Sequence, residues 1–543
     1  MNVPNIRNKT QIMVKFRTTI LLLLLATITT QAQTYITAGD ATGSWTNEGS
    51  PYIIEGDLIV APAERLEIEA GVEVLFTGPF VIEVYGRLEA IGTPTDSIYF
   101  RAADTTGFSS GNYNGWLGIG LIGYTAITNE NSRFEYCNIE YSAGSGITCV
   151  HYRNFELKNS KLANNKEYGL LLTDFSDIFA TDINVEFNGQ GGVKSNFSAP
   201  SISNFEISNN GGTGVSILGH SMTEIFELNS GIIHHNTSVE NGGGIAISEE
   251  GLLNVSDVEI SHNQALNGAG FYGNSGYVTV NNSTVSFNHA QNGAGIFIEN
   301  NCILQMDFTT ISHNYAQSTG GGVYNQSSFI NLTKSTIADN QATAAGGLYY
   351  ELYTSGNNTI NSSIIWNNSQ ESVSVALIAP EVTFSDVEGG FEGEGNIDQD
   401  PLFAQSDNND YHLTWANFPV ENEFTSPCID AGDYNLNVDP DGTAADMGAY
   451  YYHQEMFMTK VNENSWMQTT EIYPNPATSA IYVNGTDDIQ TIDITNLSGQ
   501  VVKHLEANGA INHIDLNDLQ TAVYLVIMKD AVGNSVTKKL IKQ

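Results

Sequence analysis

Four aromatic residues recur at a nearly constant spacing in the second half of the chain and could form a ligand-binding surface. Each stands two positions after a glycine and one position after an apolar residue, and they are Tyr272, Phe297, Tyr324 and Tyr349. If the apolar residue of each pair points inward, the aromatic ring points outward on consecutive strands. Sugar rings stack on exposed aromatic rings, so the row is a candidate polysaccharide-binding surface. A stabilising aromatic ladder, or a row covered by a loop, is the alternative.

Carboxylates are the second group with chemical potential, because a hydrolase acting on polysaccharide needs a facing pair of them. Asp174, Asp177 and Asp182 are the densest acidic group in the repeated region, but they follow one another along a single segment, and solvated turn acids are the alternative. A lyase would need a basic side chain and cations. Between Gly231 and Thr459 the only lysine or arginine is Lys334, so this region has few of the basic side chains that a lyase needs.

Histidines and a short acidic loop are the candidate metal ligands. His235, His262 and His313 fall in one row of the repeat, but Phe287 interrupts it, and residues two coils apart are about 10 Å apart, too far to share an ion. The acidic loop offers oxygen ligands for calcium around a glycine, at Asn437, Asp439, Asp441 and Asp446. A turn held by its own side chains is the alternative. We predict no other cofactor.

These residues lie within a repeated phrase that reads apolar, variable, Asn, small residues with Gly, apolar, as in ISHNQALNGAGFY. Its markers are 22 to 27 residues apart and are Asn165, Asn188, Asn210, Asn236, Asn263, Asn288, Asn314, Asn340 and Asn367. A near-constant period of this length indicates a solenoid. We expect each Asn to turn its amide inward, to hydrogen-bond to the next coil, and to adopt the left-handed conformation of a tight corner.

The residue types between the markers select the kind of solenoid. Apolar residues alternate and are rich in Ile, Val, Phe and Tyr, as in the segment 244–247, which is strand patterning. Helical repeats would need a period of about 3.6 residues, and a repeated leucine consensus is absent. We therefore predict an all-β chain whose main part, residues 34–455, is a right-handed parallel β-helix with coils stacked about 4.8 Å apart.

Composition and the N-terminus indicate an exported protein. A basic start, an apolar run and small residues ending at Ala32 form a predicted signal peptide over residues 1–33, with Met13 as the expected start. No later segment is apolar enough to span a membrane. A net charge of −40 argues against nucleic-acid binding. The four cysteines are too sparse to staple the chain, although Cys137 and Cys149 are close enough in sequence to pair.

Two segments resemble two known families. Residues 384–452 contain DPLF at 400–403 and SPCIDAG at 426–432, and they resemble the closing segment of surface β-helix proteins from Bacteroidetes and related bacteria. The resemblance implies that this segment finishes the last coils and caps the solenoid. It implies no activity.

The C-terminal residues 471–543 follow a polar linker, 456–470, and show short alternating strands typical of a small antiparallel β-sandwich. They resemble the C-terminal sorting domain of the type IX secretion system. The motif that carries the resemblance at its start is Tyr473, Pro474, Asn475 and Pro476. The resemblance implies export through the type IX machinery to the outside of the cell, usually with cleavage of the domain.

The sequence therefore predicts a secreted or cell-surface β-helix. Its expected function is that of a non-catalytic binding or adhesion module for polysaccharide or another surface. A polysaccharide lyase or glycoside hydrolase on the same fold is the alternative, since one solenoid fold carries unrelated functions.

Overall fold

The computed structural model divides the chain into two compact units, Met1–Tyr452 and His453–Gln543. The described residues are 33–109, 113–123, 131–219, 225–352, 358–454, 470–484, 489–497, 499–506, 513–530 and 535–543. The predicted signal peptide and the predicted linker lie almost wholly outside them. In the described part of the chain, no helix is long and apolar enough to cross a membrane.

The first unit is a parallel β-solenoid, which confirms the predicted fold. One sheet of 14 described strands runs along its length. Its strands are Gly39–Asp40, Leu58–Val60, Ile82–Val84, Ile119–Ile122, Ile147–Val150, Tyr168–Thr173, Gly191–Asn196, Thr213–Leu218, Ile245–Ser248, Phe271–Asn274, Ile296–Glu299, Val323–Gln326, Leu348–Glu351 and Val373–Val375. We call it the narrow sheet.

A second parallel sheet of 25 described strands forms the rest of each coil, and we call it the wide sheet. Its strands are Thr34–Ile36, Gly43–Trp45, Tyr52–Ile54, Arg65–Ile68, Glu73–Phe76, Arg87–Ile91, Ile98–Ala102, Arg133–Glu135, Cys137–Glu140, Phe155–Lys158, Lys161–Ala163, Ile178–Glu186, Ser201–Ser208, Ile225–His234, Leu252–Ser261, Tyr277–Asn281, Thr284–Ser286, Ile303–Asp307, Thr310–Ser312, Phe329–Thr333, Thr336–Ala338, Thr359–Asn361, Ile364–Trp366, Glu381–Thr383 and Asp386–Val387. Three short strands pair beside it, at His289–Asn292, Tyr315–Thr319 and Gln341–Ala344.

From Tyr136 onward, each described coil bends in the middle of the wide sheet at one residue with left-handed backbone, which we call the elbow residue. Its φ is 55° at Asp182 and 54° at Ser230. In the four long strands Ile178–Glu186, Ser201–Ser208, Ile225–His234 and Leu252–Ser261 the elbow residue lies inside the strand, and in the other coils it separates two strands of the same coil. The elbow residues of the described coils therefore form a column that runs along the solenoid.

The buried asparagines form a continuous hydrogen-bonded ladder at the corner after the wide sheet. The Nδ2 group of Asn263 donates to Asn288 Oδ1 at 3.1 Å and to the Ile233 carbonyl at 2.9 Å. Its Oδ1 accepts from the amide of Asn236, at 3.0 Å from the Nδ2 atom. The same pattern holds from Asn165 to Asn340.

Two details of the predicted ladder are wrong. The last member is Asn368, whose Oδ1 accepts from Asn340 Nδ2 at 3.0 Å, whereas Asn367 is one residue too early. The left-handed residue at this corner is not the ladder Asn but the residue before it, with φ of 52° at Asn367 and 56° at His262. The corner turns at that preceding residue, which frees the next side chain to point into the core.

The glycines of the repeat make room for this ladder. Gly244 directly precedes the strand after the corner, and a Cβ atom there would lie 3.0 Å from Asn263 Nδ2 and 2.7 Å from the Gly270 carbonyl oxygen. A side chain would therefore separate neighbouring coils. The repeat therefore needs Gly at this position because the ladder Asn of the next coil packs directly against it.

The interior of the solenoid is a continuous stack of aliphatic and aromatic side chains, from Trp45 to Val387. Burial of this kind is the main favourable contribution to folding. All four cysteines are buried and free, so Cys137 and Cys149 do not pair. Burial raises the pKa of the Cys137 thiol.

Residues 388–452 fold back along the side of the last coils, and we call them the cap. The cap contains a hairpin of Phe403–Gln405 and Asp410–Leu413 and a 3₁₀ turn at Ser406–Asn408; another such turn, Asn47–Gly49, lies near the start of the solenoid. Its core of Leu413, Cys428 and Met447 packs against Ile364. The cap thus covers the flank of several coils and is more than an end plug.

The second unit contains two antiparallel sheets around a small separate core, as predicted for a β-sandwich. One sheet has the strands Glu471–Tyr473, Ala480–Asn484 and Ile514–Asp515, and the other has Ile489–Asn496, Val501–Glu506, Ala522–Asp530 and Ser535–Lys542. The motif residue Asn475 accepts a hydrogen bond at Oδ1 from the Ile541 amide, 2.9 Å away. This contact ties the start of the unit to its last strand.

Candidate binding groove

The predicted aromatic row exists, but its rings stack on one another. The centroids of Phe297 and Tyr324 are 4.7 Å apart with ring planes 15° apart, and those of Tyr272 and Phe297 are 6.0 Å apart with planes 24° apart. Tyr349 continues the column at 5.0 Å from Tyr324, tilted by 50°. The ring faces are therefore turned along the solenoid and largely used within the column. The hypothesis of an open, flat platform is wrong for this row.

Burial supports the same correction. Tyr272 and Phe297 are only 9% and 7% exposed. The hydroxyl of Tyr272 donates to Glu299, and that of Tyr324 donates to Glu351, each on the next coil of the narrow sheet. The row has the geometry of the alternative, a stabilising aromatic ladder.

The histidine row is also an aromatic column, at the left-handed corner positions. The rings of His235 and His262 stack at 5.0 Å, and His262 stacks on Phe287 at 5.1 Å. His313 lies edge-on to Phe287 and its Nδ1 atom is 3.0 Å from the Tyr411 hydroxyl, which donates to Asp339. The imidazoles face neighbouring rings and the cap.

The four residues of the predicted calcium loop do not converge on one point. Asp439 pairs with Lys334 and accepts the Asp446 amide at 2.8 Å, while Asp446 accepts the amides of Asp430 and Tyr452. Asp441 binds the amide and hydroxyl of Thr443, which is a turn held by its own side chains.

Asn437 lines a neighbouring pocket instead. Among the described residues, no group of three or more His, Cys, Asp or Glu side chains is arranged to hold a metal.

The acidic group Asp174, Asp177 and Asp182 is likewise dispersed. Asp177 lies 3.6 Å from Arg153, and Asp174 lies 3.9 Å from His151. Burial raises the pKa of Asp177, with the Arg153 charge acting against it. Asp182 lines a groove.

That groove follows the column of elbow residues, and we call it the elbow groove. It has a volume of about 820 Å³ and takes lining residues from seven consecutive coils. Six elbow residues line it, and Ser97 lines it in the coil before them; the six are Tyr136, Asn159, Asp182, Asn204, Ser230 and Asp257. Seven coils at the usual strand spacing make it roughly 29 Å long.

One row of outward side chains runs along the groove two positions after the elbow. The pairing of the strands aligns its members on successive coils as Asn138, Lys161, Asn184, Glu206, Ile232 and Glu259. Asn184 Oδ1 is enclosed and has no hydrogen-bond partner in the described structure. Five of the six side chains can hydrogen-bond, and their spacing is set by the backbone ladder.

Two contacts set the charge distribution in the groove. Lys161 Nζ lies 2.6 Å from Glu186, and this hydrogen bond raises the pKa of the lysine. Glu206 lies 3.0 Å from His234 Nε2. Four carboxylates line the groove against one lysine, and they are Asp182, Glu206, Asp257 and Glu259. The groove is therefore acidic.

The groove also offers apolar surface. Ile232 is 41% exposed, and the neighbouring Gly231 pairs with the buried Phe205 of the preceding coil. A Cβ atom at Gly231 would come within 2.5 Å of the Phe205 ring. Glycine at this position makes room for the buried Phe205 ring of the neighbouring coil.

Sequence reasoning missed the elbow groove, although a signal exists. From Asn159 to Ser362, each elbow residue lies six positions before the ladder Asn of its coil, as Asp182 does before Asn188 and Ser230 before Asn236. Because residue type varies along this column, it shows no consensus. Counting back from the ladder would have found it.

Comparisons with known proteins agree with this architecture. Residues 471–543 match the model of the secretion system C-terminal sorting domain. Residues 94–229 and 175–335 match the model of the right handed beta helix region. None of the curated proteins compared with the chain matches it.

Solved structures with similar folds include three polysaccharide-modifying proteins. Pectate lyase Pel9A has 12% identity and a TM-score of 0.30, over 74% of this chain and 89% of that chain. The A-module of the mannuronan C-5 epimerase AlgE4 from Azotobacter vinelandii has 12% identity and a TM-score of 0.32, over 64% and 89%. An alginate lyase from Paenibacillus has 16% identity and a TM-score of 0.22, over 54% and 92%. These scores are too low to carry an argument about function.

The sorting domain implies an interaction with the type IX secretion machinery and export to the cell surface. The coils, their parallel register and the matched regions agree on the rest of the molecule. The chain is a parallel β-helix protein whose residues 94–335 match the right handed beta helix region and whose residues 471–543 match the secretion system C-terminal sorting domain.

Proposed function

We propose that this secreted β-helix is a non-catalytic binding module that holds a neutral polysaccharide along the elbow groove. The observation that carries the proposal is the row of hydrogen-bonding side chains at one per coil in an open groove. A polymer with repeating hydroxyl groups can meet such a row several times, and each contact adds to the others. The exposed Ile232 offers apolar surface for the carbon–hydrogen face of a sugar ring.

The charge of the groove selects among polysaccharides. Its four carboxylates and single lysine would repel a chain of uronic acids, and the lysine is already paired with Glu186. Carboxylates and amides accept hydrogen bonds from sugar hydroxyls, which a neutral polysaccharide provides. The proposed ligand is therefore neutral.

The alternative function, a polysaccharide lyase or glycoside hydrolase, needs a base or a facing carboxylate pair at the bound chain. The single groove lysine is engaged by Glu186, and three of the four groove carboxylates are also engaged, namely Glu206 by His234, Asp257 by Asn282 and Glu259 by Ser261. These contacts favour binding over catalysis. Measurement of product release distinguishes binding from catalysis.

The test is retention of the full-length protein on neutral mannan, xylan and β-glucan and on acidic alginate and pectin, with product release assayed in the same samples. The groove variant is Asn184→Trp, which fills the groove with a large ring. The matched control is Thr279→Trp, which lies on an outward position of the wide sheet outside the groove. We expect retention on a neutral polymer, weakened at least about tenfold by Asn184→Trp only, which is about 1.4 kcal/mol of binding free energy.

Release of new chain ends would replace the binding function with the enzymatic alternative. Retention that survives Asn184→Trp would place the binding surface elsewhere. Preferential retention on alginate or pectin would contradict the charge argument.

A further inference from the structure

We infer that the elbow groove recognises the end of a polysaccharide chain, because the cap closes the groove at one end. This inference rests on the proposed function. It adds that a bound chain enters the groove from the N-terminal coils and terminates at a defined place, whereas a groove open at both ends would bind the middle of a chain equally well.

The row of outward side chains shows where the groove closes. Beyond Glu259 the same row continues through Thr284 and Thr310 to Thr336. Thr284 is partly exposed, but Thr310 and Thr336 are buried. The open part of the groove therefore ends within two coils of Glu259.

The cap is what covers the buried part of the row. The amide of Ala449 donates to the hydroxyl of Thr336 at 3.0 Å, and the amide of Gly448 donates to the Ser362 carbonyl at 2.8 Å. A Cβ atom at Gly448 would lie 2.7 Å from Ile364. The cap backbone thus lies directly against the row that a sugar chain occupies further along the groove.

A buried ion pair fixes this wall. Lys334 is itself an elbow residue, with φ of 44°, and its ammonium group binds the carboxylate of Asp439 in the cap. The two side chains are 7% and 2% exposed. Removing one partner of such a pair is costly because the other charge stays buried, so the wall is a permanent part of the fold.

A pocket of about 500 Å³ lies where the groove meets the wall, and we call it the terminal pocket. Its first residue along the solenoid, Asn282, is the elbow residue that follows Asp257 of the groove, and its amide donates to the Asp257 carboxylate. The groove and the terminal pocket are therefore adjacent along one column.

The lining of the terminal pocket suits a terminal sugar. Phe308 is 48% exposed and Val438 is 65% exposed, so apolar surface is available to the carbon–hydrogen face of a ring. Tyr450, whose ring stacks on His412 at 4.3 Å, forms part of the lining. Asn282 and Asn437 supply polar groups for the hydroxyl that only a chain end carries free.

The decisive measurement is the stoichiometry of binding. Full-length protein is titrated with linear mannan, xylan and β-glucan, each prepared as short-chain and long-chain fractions matched in total sugar, and bound protein is quantified by sedimentation. If the protein recognises chain ends, the amount bound at saturation is proportional to the number of chains. At equal total sugar the short-chain fraction contains more chains, and it should bind more protein in the same proportion.

A pair of cap variants tests the terminal pocket. Val438→Asp places a charge in the pocket, and Val420→Asp places the same charge at a cap residue of similar exposure, 63%, outside the pocket. We expect at least about tenfold weaker binding for Val438→Asp and unchanged binding for Val420→Asp, because an apolar contact is replaced by a charge that must lose water.

The outcomes distinguish failure of end recognition from failure of the proposed function. Saturation that follows total sugar, whatever the chain length, would overturn end recognition and leave the proposed function intact, as would unchanged binding by Val438→Asp. Failure to bind any of the three neutral polymers would overturn the proposed function itself.

Discussion

At the scale of single residues, the ladder asparagines contribute most to the order of the coils, because each satisfies groups on two neighbours. Replacing Asn263 with Ala would remove one hydrogen bond from the Ile233 carbonyl, the acceptor of the Asn236 backbone amide, and one of the two acceptors of Asn236 Nδ2. We expect a loss of roughly 3 to 5 kcal/mol in the free energy of unfolding, since each buried unsatisfied group costs about 1 to 3 kcal/mol. Urea unfolding of the full-length protein measures it.

The matched control for this substitution is Asn267→Ala in the same coil. Asn267 also bonds across coils, at 3.0 Å from Asn241 Oδ1, but it is only half-buried and water can replace its partners. We expect a loss of about 1 kcal/mol or less. Equal losses for the two variants would show that the ladder gains nothing from its burial.

The buried carboxyl of Asp446 gives the cap a pH dependence. Burial raises its pKa to about 7 from an ordinary value of 3.8. Between these values the folded chain holds a proton that the unfolded chain has lost, so stability falls as the pH rises through this window and then levels off. The contribution is up to about 4 kcal/mol.

Asp446→Asn tests this contribution, because an amide cannot titrate. We expect the variant to show a shallower loss of stability than the natural protein when thermal unfolding is compared near pH 4 and near pH 7. Asp386, whose pKa burial raises to about 6, keeps a smaller slope of the same sign. If the stability of Asp446→Asn fell with pH as steeply as that of the natural protein, Asp446 would not be the source of the pH dependence.

At the scale of elements, the repeat period and the residue types were enough to predict the parallel coils, the ladder corner and the antiparallel C-terminal unit. Alternation also placed Tyr272 and Phe297 outward correctly. It could not give the orientation of their rings, because stacking between coils depends on side-chain torsions that the sequence pattern does not contain.

The elbow groove was missed for a related reason. The left-handed bend occurs at residues as different as Asp182, Ser230 and Phe308, so no sequence consensus marks the column. The shift from Asn367 to Asn368 has the same origin, since two adjacent asparagines fit the pattern and only the backbone conformation of the corner distinguishes them.

The aromatic column gives a prediction that separates packing from ligand binding. Phe297 lies between Tyr272 and Tyr324 and is almost fully buried, so Phe297→Ala should lower the free energy of unfolding by about 3 to 5 kcal/mol. Polysaccharide retention per folded molecule should not change, because the column lies outside the elbow groove.

The control is Phe179→Ala, which removes an aromatic ring that is 55% exposed. It should cost much less stability, because little apolar surface is lost from the core. Loss of retention by folded Phe297→Ala alone would restore the aromatic row as a binding surface.

At the scale of the whole molecule, binding and export are assigned to separate compact units. The solenoid has one continuous core and the sorting unit has its own core around Ile492 and Val526. Because neither core contains residues of the other unit, each satisfies the requirement for folding alone. The groove and the cap lie entirely in the first unit.

Removal of residues 471–543 should therefore abolish export and leave the solenoid intact. We expect the shortened protein to accumulate in the periplasm, because the sorting domain is what the secretion machinery recognises, and to unfold at the same temperature as the solenoid of the full-length protein. Cell fractionation with an antibody to the solenoid measures the first effect, and calorimetry of both purified proteins measures the second. A shortened protein that still reaches the surface would separate export from the sorting domain, and a lower unfolding temperature would show that the solenoid draws stability from the unit that follows it.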